Sequence, residues 1–296
     1  MTQKFGSHVS AAGGLQNAFT EAVRVGCDCL QIFVKNQRQW AAPPLNEEQI
    51  ANYRRAERDS RLGPVFAHAT YLLNLATPDE TLRTKSVAAL VDELQRCESL
   101  GLQGLVVHPG AHVGTGEVAG IAAIARSLNE VHKRTSGFKC PVLLETTAGQ
   151  GTTLGNTIEQ IAAMLGGVDA TDRLGVCLDT CHLFAAGYDL TDPHACAALV
   201  DRIDSLIGVD RVLCIHTNDS KGKLGSRLDR HEHIGKGLIG KRGFANLLND
   251  ARLTHVPRIL ETPKGEDERG RDWDRVNLGV LRRITGTTRG AAGTSQ

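Results

Sequence analysis

Six short apolar runs follow one another along the chain, and each stops on a residue type that binds metals. Val65-Phe66-Ala67 stops at His68, Leu105-Val106-Val107 at His108, and Val142-Leu143-Leu144 at Glu145. Val176-Cys177-Leu178 stops at Asp179, Val212-Leu213-Cys214-Ile215 at His216, and Ile259-Leu260 at Glu261. Two earlier segments complete the set: Lys4 to Val9, containing His8, and Leu30 to Val34, followed by Lys35 and Asn36. Short, continuously apolar, β-rich runs are what parallel strands buried on both faces look like. Between them, Leu82 to Leu100 places Val87, Leu90, Val91, Leu94 and Cys97 at helical steps before a capping Gly101, and Glu117 to Thr135 repeats the pattern. Weaker helical patterns cover 156–165, 194–207 and 241–251. Strand and helix alternating eight times, at intervals of roughly 35 residues, predict an α/β fold of one (β/α)8 TIM barrel, with the active site at the C-terminal ends of the strands. A doubly wound open sheet is the alternative, but no GxGxxG follows any strand. The barrel domain is expected to span 1–285. Residues 286–296, GTTRGAAGTSQ, have no apolar period and read as a disordered tail.

Composition narrows the function classes. The 41% hydrophobic and 23% charged content is that of a globular domain with a sizeable core. No run of eighteen apolar residues occurs and the N-terminal residues lack the apolar core of a signal peptide, so no membrane span or export is expected. Eight cysteines without a CxxC pair are too sparse for a disulfide scaffold and read as buried thiols in a reducing cytoplasm. The net charge of +1 excludes a polycation, so any nucleic-acid contact must come from a local patch. From Thr217 to Arg242, seven Lys/Arg stand against three acids, a local balance of +4. Taken alone, such a run is more often a solvated loop than a DNA site.

Two loops add ligand types to the strand ends: Asp179-Thr180-Cys181-His182 and Asp229-Arg230-His231. The expected metal set is then His68, His108, Glu145, Asp179, His182, His216, Asp229, His231 and Glu261. Five imidazoles with four carboxylates suit Zn2+, with Mn2+ or Fe2+ as the other metals that accept such donors. Nine ligands exceed what one tetrahedral ion takes and suit two or three ions with a bridging carboxylate. Three divalent ions against four carboxylates leave the site at +2, which favours an anionic substrate. Clustered metals activate water and clamp a phosphoryl centre, and so point to phosphoester hydrolysis.

At these residues the chain resembles endonuclease IV, the metal-dependent apurinic/apyrimidinic (AP) endonuclease family. The resemblance rests on HVSAAGGL at 8–15, FVKNQRQW at 33–40, HPG at 108–110, ETTAGQG at 145–151, DTCHLFAAGYDL at 179–190, HTNDSK at 216–221, GSRLDRHEHIGKGLIG at 225–240 and ILETP at 259–263. It implies DNA repair by a trinuclear zinc site. His68 and His108 would bind one ion, Asp179, His216 and Glu261 a second with Glu145 bridging the two, and His182, Asp229 and His231 a third. A metal-bridging hydroxide would attack the phosphodiester 5′ to an abasic site in duplex DNA, leaving a 3′-hydroxyl and a 5′-deoxyribose phosphate. Removal of 3′ blocking groups is a further family activity, and Arg38, Tyr71 and Leu72 match the wedge inserted into the DNA. The resemblance also suggests a monomer. Thr146 departs from the Asn common in the family, which would change any hydrogen bond made there. His233 is an alternative ligand beside His231; His8 and His112 are assigned no metal. A metal-dependent sugar isomerase or epimerase on the same barrel is the competing reading, though it has no use for Asp229, His231, the wedge or the basic loop. A non-enzymatic DNA-binding protein would not need a complete ligand set.

Overall fold

Each of the eight apolar runs forms a strand, and the strands close on one another. In the computed structural model, which describes residues 3–287, they are β1 (Phe5–His8), β2 (Cys29–Ile32), β3 (Val65–His68), β4 (Leu105–Val107), β5 (Val142–Glu145), β6 (Leu174–Asp179), β7 (Val212–His216) and β8 (Arg258–Leu260). All pair in parallel in the closed order β1-β8-β7-β6-β5-β4-β3-β2, the architecture of a TIM barrel. Strand β2 stops at Ile32 rather than Val34, and His108 and Glu261 stand one residue past their strands. The helices are α1 (Asn17–Val25), α2 (Glu47–Ser60), α3 (Glu80–Leu100), α4 (Glu117–Arg134), α5 (Ile158–Gly166), α6 (Thr180–Ala186), α7 (Pro193–Leu206), α8 (Gly240–Leu248) and α9 (Trp273–Thr285).

Four helices lie outside the periodic stretches read from the sequence, for physical reasons. Helix α2 buries Tyr53 alone, so it has no apolar stripe; it is set by its N-terminus, where the Asn46 side chain accepts from the Gln49 amide and Gln49 reaches back. Helix α6 is seven residues long and buried nearly all round, so no period is visible. Half of the buried stripe of α1 is alanine, Ala18 and Ala22, and α9 buries polar Asp274 and Asn277 beside Leu278 and Leu281.

Side chains in a strand alternate between faces, which sorts the barrel interior into layers. Cys29, Phe66, Val106, Leu143, Cys177, Cys214 and Ile259 point inward and form a closed apolar cluster. Gly6 holds the corresponding place on β1, where a Cβ would meet the Cys29 carbonyl oxygen at 1.9 Å. The alternate residues point outward and join the larger core between strands and helices. Two residues above the inner apolar layer, at the C-terminal mouth, stand His8, Gln31, His68, His108, Glu145, Asp179, His216 and Glu261. A two-stranded hairpin, Asp219–Ser220 with His231–Glu232, rises beside this mouth after β7. Among the described residues no helix is long and apolar enough to cross a membrane. Of the expected tail, Gly286 and Thr287 close α9, and the rest lies outside the described residues.

Candidate metal centre

The strand-end layer and two loops bring all nine expected ligands to the mouth in three groups. In each group, one donor atom per residue lies within 4.8 Å of the others: His68, His108 and Glu145; Glu145, Asp179, His216 and Glu261; and His182, Asp229 and His231. Glu145, fully buried, belongs to two of them. Its Oε2 stands 3.1 Å from His68 Nε2 and 3.0 Å from His108 Nε2, while Oε1 stands 2.9 Å from His216 Nδ1. Glu261 Oε2 closes the second group at 3.1 Å from His216 Nδ1. In the third, Asp229 offers Oδ2 to His182 Nε2 at 3.1 Å and Oδ1 to His231 Nε2 at 3.3 Å.

Local structure aims these side chains. Asp179 ends β6 and caps α6: its Oδ1 accepts from the His182 amide at 2.8 Å, so the strand-end carboxylate sets the first turn that carries His182. Its Oδ2 accepts from Asn218 Nδ2 at 2.7 Å. The loop carrying Asp229 and His231 is held by buried Asp219, whose carboxylate accepts from the amides of Gly235, Gly237, Ile239 and Gly240.

The outer ring nitrogens meet groups that can only accept. His68 Nδ1 donates to the Ala69 carbonyl (2.7 Å), His182 Nδ1 to that of Thr146 (2.8 Å) and His231 Nδ1 to that of Glu261 (3.2 Å). His216 Nε2 donates to Gln31 Oε1 at 2.9 Å. Each bond places a proton on the outer nitrogen and turns the opposite nitrogen toward the carboxylates, the orientation that metal-binding imidazoles require. His182 Nε2 and His231 Nε2 are buried without a hydrogen-bond partner, although Asp229 oxygens lie within ion-pair distance. Close approach without hydrogen-bond direction is the geometry of two ligands facing a shared ion. Charge argues the same way. Burial opposes ionisation of Glu145 and Glu261, yet the surrounding imidazoles hold both well below the usual carboxylate range. Burial likewise opposes charging of His231, but Asp179 and Asp229 push it up to about 9. Four carboxylates at the mouth thus demand positive charge. The donor set fits divalent metals.

Other candidates fall away from the groups. His233 stacks on Trp273 at 3.7 Å and meets Asn277 Nδ2 at 3.2 Å. His112 Nδ1 accepts from the Gly116 amide within its own loop. Cys181 lies near Asp179 and His231, and burial pushes its thiol up to about 12. Cys177 and Cys214 belong to the apolar layer below His216. Thr146 makes two hydrogen bonds: its carbonyl holds His182, and its hydroxyl accepts from the Asp179 amide at 2.9 Å. The residue missed in the sequence is Gln31, which sits inside an apolar run and is no metal-ligand type.

Around the mouth, Tyr71 is 60% exposed while its ring packs against His68 and Phe33, Arg38 is exposed, and Leu72 is half-buried. A cavity of about 300 Å³ lined by His68, Tyr71, Leu72, Asn74, His108 and Thr153 opens beside them. All seven Lys/Arg of the 217–242 segment are exposed.

Residues 19–283 match the family described as "Xylose isomerase-like TIM barrel". The "Probable endonuclease 4" of Chloroflexus aggregans is 47% identical over 285 residues, covering 96% of this chain and 99% of that protein. Endonuclease IV from Thermus thermophilus superposes with a TM-score of 0.82 at 36% identity, over 96% of this chain and 99% of that one. A D-tagatose 3-epimerase-like protein reaches a TM-score of 0.72 at 20% identity, a likeness of fold alone.

Proposed function

The chain belongs to the endonuclease IV family, and from that premise we propose that it repairs DNA by hydrolysing the phosphodiester 5′ to an abasic site in duplex DNA. The products would be a 3′-hydroxyl and a 5′-deoxyribose phosphate, and blocked 3′ ends would be cleared at the same site. The observation that carries this reading is the three-part donor set, with one carboxylate shared between two groups and one nitrogen of each backbone- or Gln31-held imidazole turned inward.

Three Zn2+ ions fit the three groups, with Mn2+ an acceptable substitute. His68 and His108 would hold the first, Asp179, His216 and Glu261 the second, with Glu145 between them, and His182, Asp229 and His231 the third. When bound, such ions lower the pKa of water and stabilise charge on phosphoryl oxygens. The protein's own residues do the rest. With neutral imidazoles the four carboxylates carry −4, so three divalent ions leave a net +2 facing the phosphate. The exposed Lys221, Lys223, Arg227 and Arg230 add a positive approach around the mouth. Tyr71 and Leu72, with Arg38 from the neighbouring loop, stand at the rim as a wedge for the gap a flipped nucleotide leaves. An abasic nucleotide is cheap to extrude because it has no base pair to break. The protein would act as a monomer.

The test is incision of a labelled duplex containing one tetrahydrofuran abasic analogue, before and after prolonged chelation. The analogue resists β-elimination, so only hydrolysis cuts it. A 3′-hydroxyl product that is lost on metal stripping and returns with Zn2+ or Mn2+ is expected. No cleavage by metal-loaded protein would shift the reading to a metal-dependent sugar isomerase or epimerase.

A further inference from the structure

Strand β2 is one of two barrel strands whose end carries none of the nine metal-ligand candidates, yet its inward residue is not idle. Gln31 is fully buried at the level of the metal centre. Its Oε1 lies 2.9 Å from His216 Nε2, and its Nε2 lies 2.7 Å from Glu261 Oε1 and 3.0 Å from His8 Nδ1. Chemistry fixes which way the amide points. The Glu261 carboxylate only accepts, so the NH2 must face it. The amide oxygen then faces His216, whose Nε2 must carry the proton. That leaves Nδ1 as the nitrogen open to a metal, facing the oxygens of Glu145 and Glu261 2.9 and 3.1 Å away. His8 Nδ1 lies 3.0 Å from the same amide nitrogen and 3.3 Å from Glu261 Oε1, and its ring rests on Phe33 at 4.3 Å.

We propose that Gln31 is a positioning residue for the second metal group, setting the tautomer of His216 and the direction of Glu261 with a single amide. The proposal rests on the reading that Glu145, Asp179, His216 and Glu261 hold an ion. His68, His182 and His231 are held by backbone carbonyls, which any side chain at those positions would leave in place. The outer nitrogen of His216 is held by a side chain, so its orientation depends on sequence. Glu261 depends on the same amide, because its Oε2 reaches the group while its Oε1 is occupied by Gln31. Groups that orient metal ligands from outside typically contribute 10–100-fold to metal affinity.

The experiment is Zn2+ binding to the metal-stripped full chain, read by competition with a chromophoric chelator, for wild type, Gln31→Met and Gln31→Glu. Met fills similar volume with neither donor nor acceptor. Glu keeps an acceptor for His216 but sets a like charge against Glu261. Thermal unfolding of each protein, metal-free and Zn2+-loaded, accompanies the titration. The expected result is three equivalents in wild type, with one of them weakened about 10–100-fold in both variants. The metal-free Gln31→Glu protein, isosteric with wild type, unfolds cooperatively, and its gain in Tm on Zn2+ loading shrinks. Three equivalents of wild-type affinity in both variants would overturn the role of Gln31 while leaving the metal centre intact. Wild-type protein that binds no Zn2+ would sink the metal reading itself, and this inference with it.

Discussion

Each oxygen of Glu145 faces a different set of imidazoles, Oε2 toward His68 and His108 and Oε1 toward His216. Glu145→Gln removes the charge that would bridge two ions while keeping the shape of the side chain. Incision of the abasic duplex should fall by roughly a hundredfold or more, beyond the effect of an outer-shell residue, while circular dichroism stays that of a folded barrel. Near-normal cleavage would refute the bridging role. A second residue sets an acid limit away from the mouth. His132, on α4, is buried with both ring nitrogens unpartnered. Burial, together with Arg173 and against the weaker pull of Asp172, pushes its imidazole down to about 4 from 6.5. The folded state therefore disfavours the proton that the unfolded chain takes up near pH 6.5. The stabilisation is fully present above pH 6.5 and is lost as pH falls to about 4; it amounts to at most about 3 kcal/mol. His132→Leu should flatten the stability of metal-free protein over that window, measured by urea unfolding at a series of pH values. A parallel acid slope in variant and wild type would assign the sensitivity elsewhere.

The loops after β2 and β3 carry Arg38 and the Tyr71-Leu72 pair, and a buried ion pair ties them together. Lys35 Nζ donates to the Trp40 carbonyl at 2.8 Å, sits 3.2 Å from Glu93 Oε1 and also reaches half-buried Asp92, which Arg96 holds independently; Lys35 and Glu93 are 2% and 1% exposed. Glu93, on α3, accepts from the Thr70 amide, and the Thr70 hydroxyl donates to the Gln37 carbonyl. Removing Lys35 strands the charge of buried Glu93, whereas replacing both leaves only Asp92, which keeps Arg96 as its partner. Lys35→Met should therefore cost roughly 3–5 kcal/mol in urea unfolding. Lys35→Met combined with Glu93→Gln, which still accepts from Thr70, should recover most of that. A double variant as unstable as the single one would mean that packing, rather than charge, ties the loops. None of this tie is legible from periodicity. In the sequence Lys35 closes an apolar run and Glu93 is a charged residue between the apolar positions of α3, and only packing brings them together.

On the scale of the whole molecule, a net charge of +1 conceals a segment, 217–242, that carries seven exposed lysines and arginines. Binding carried by a local patch releases counterions from a few phosphates, so affinity for abasic duplex should fall steeply with salt. Replacing Lys221, Lys223 and Lys236 together by Ala should flatten the slope of log K against log salt by about 2 to 3, if each meets one phosphate. Fluorescence anisotropy at several salt concentrations measures it, and an unchanged slope would remove this loop from the DNA contact.

The sequence by itself determined the barrel, because eight apolar runs separated by helical stretches have few other ways to bury both faces of every strand. It also determined the chemistry available at the mouth, because His and carboxylates close six of those runs. Tertiary structure decided which atoms meet. A run apolar on both faces does not say which alternate residues point into the lumen, and only closure and register fix that Gln31 shares a layer with His216 and Glu261. The loops bearing Asp229 and His231 reach the centre through Asp219 and the hairpin it steadies. Ring tautomers depend on partners distant in sequence, such as Gln31 for His216 and Thr146 for His182. Residue types are local properties of the chain, whereas the direction of a lone pair is set by the neighbour that takes the opposite proton.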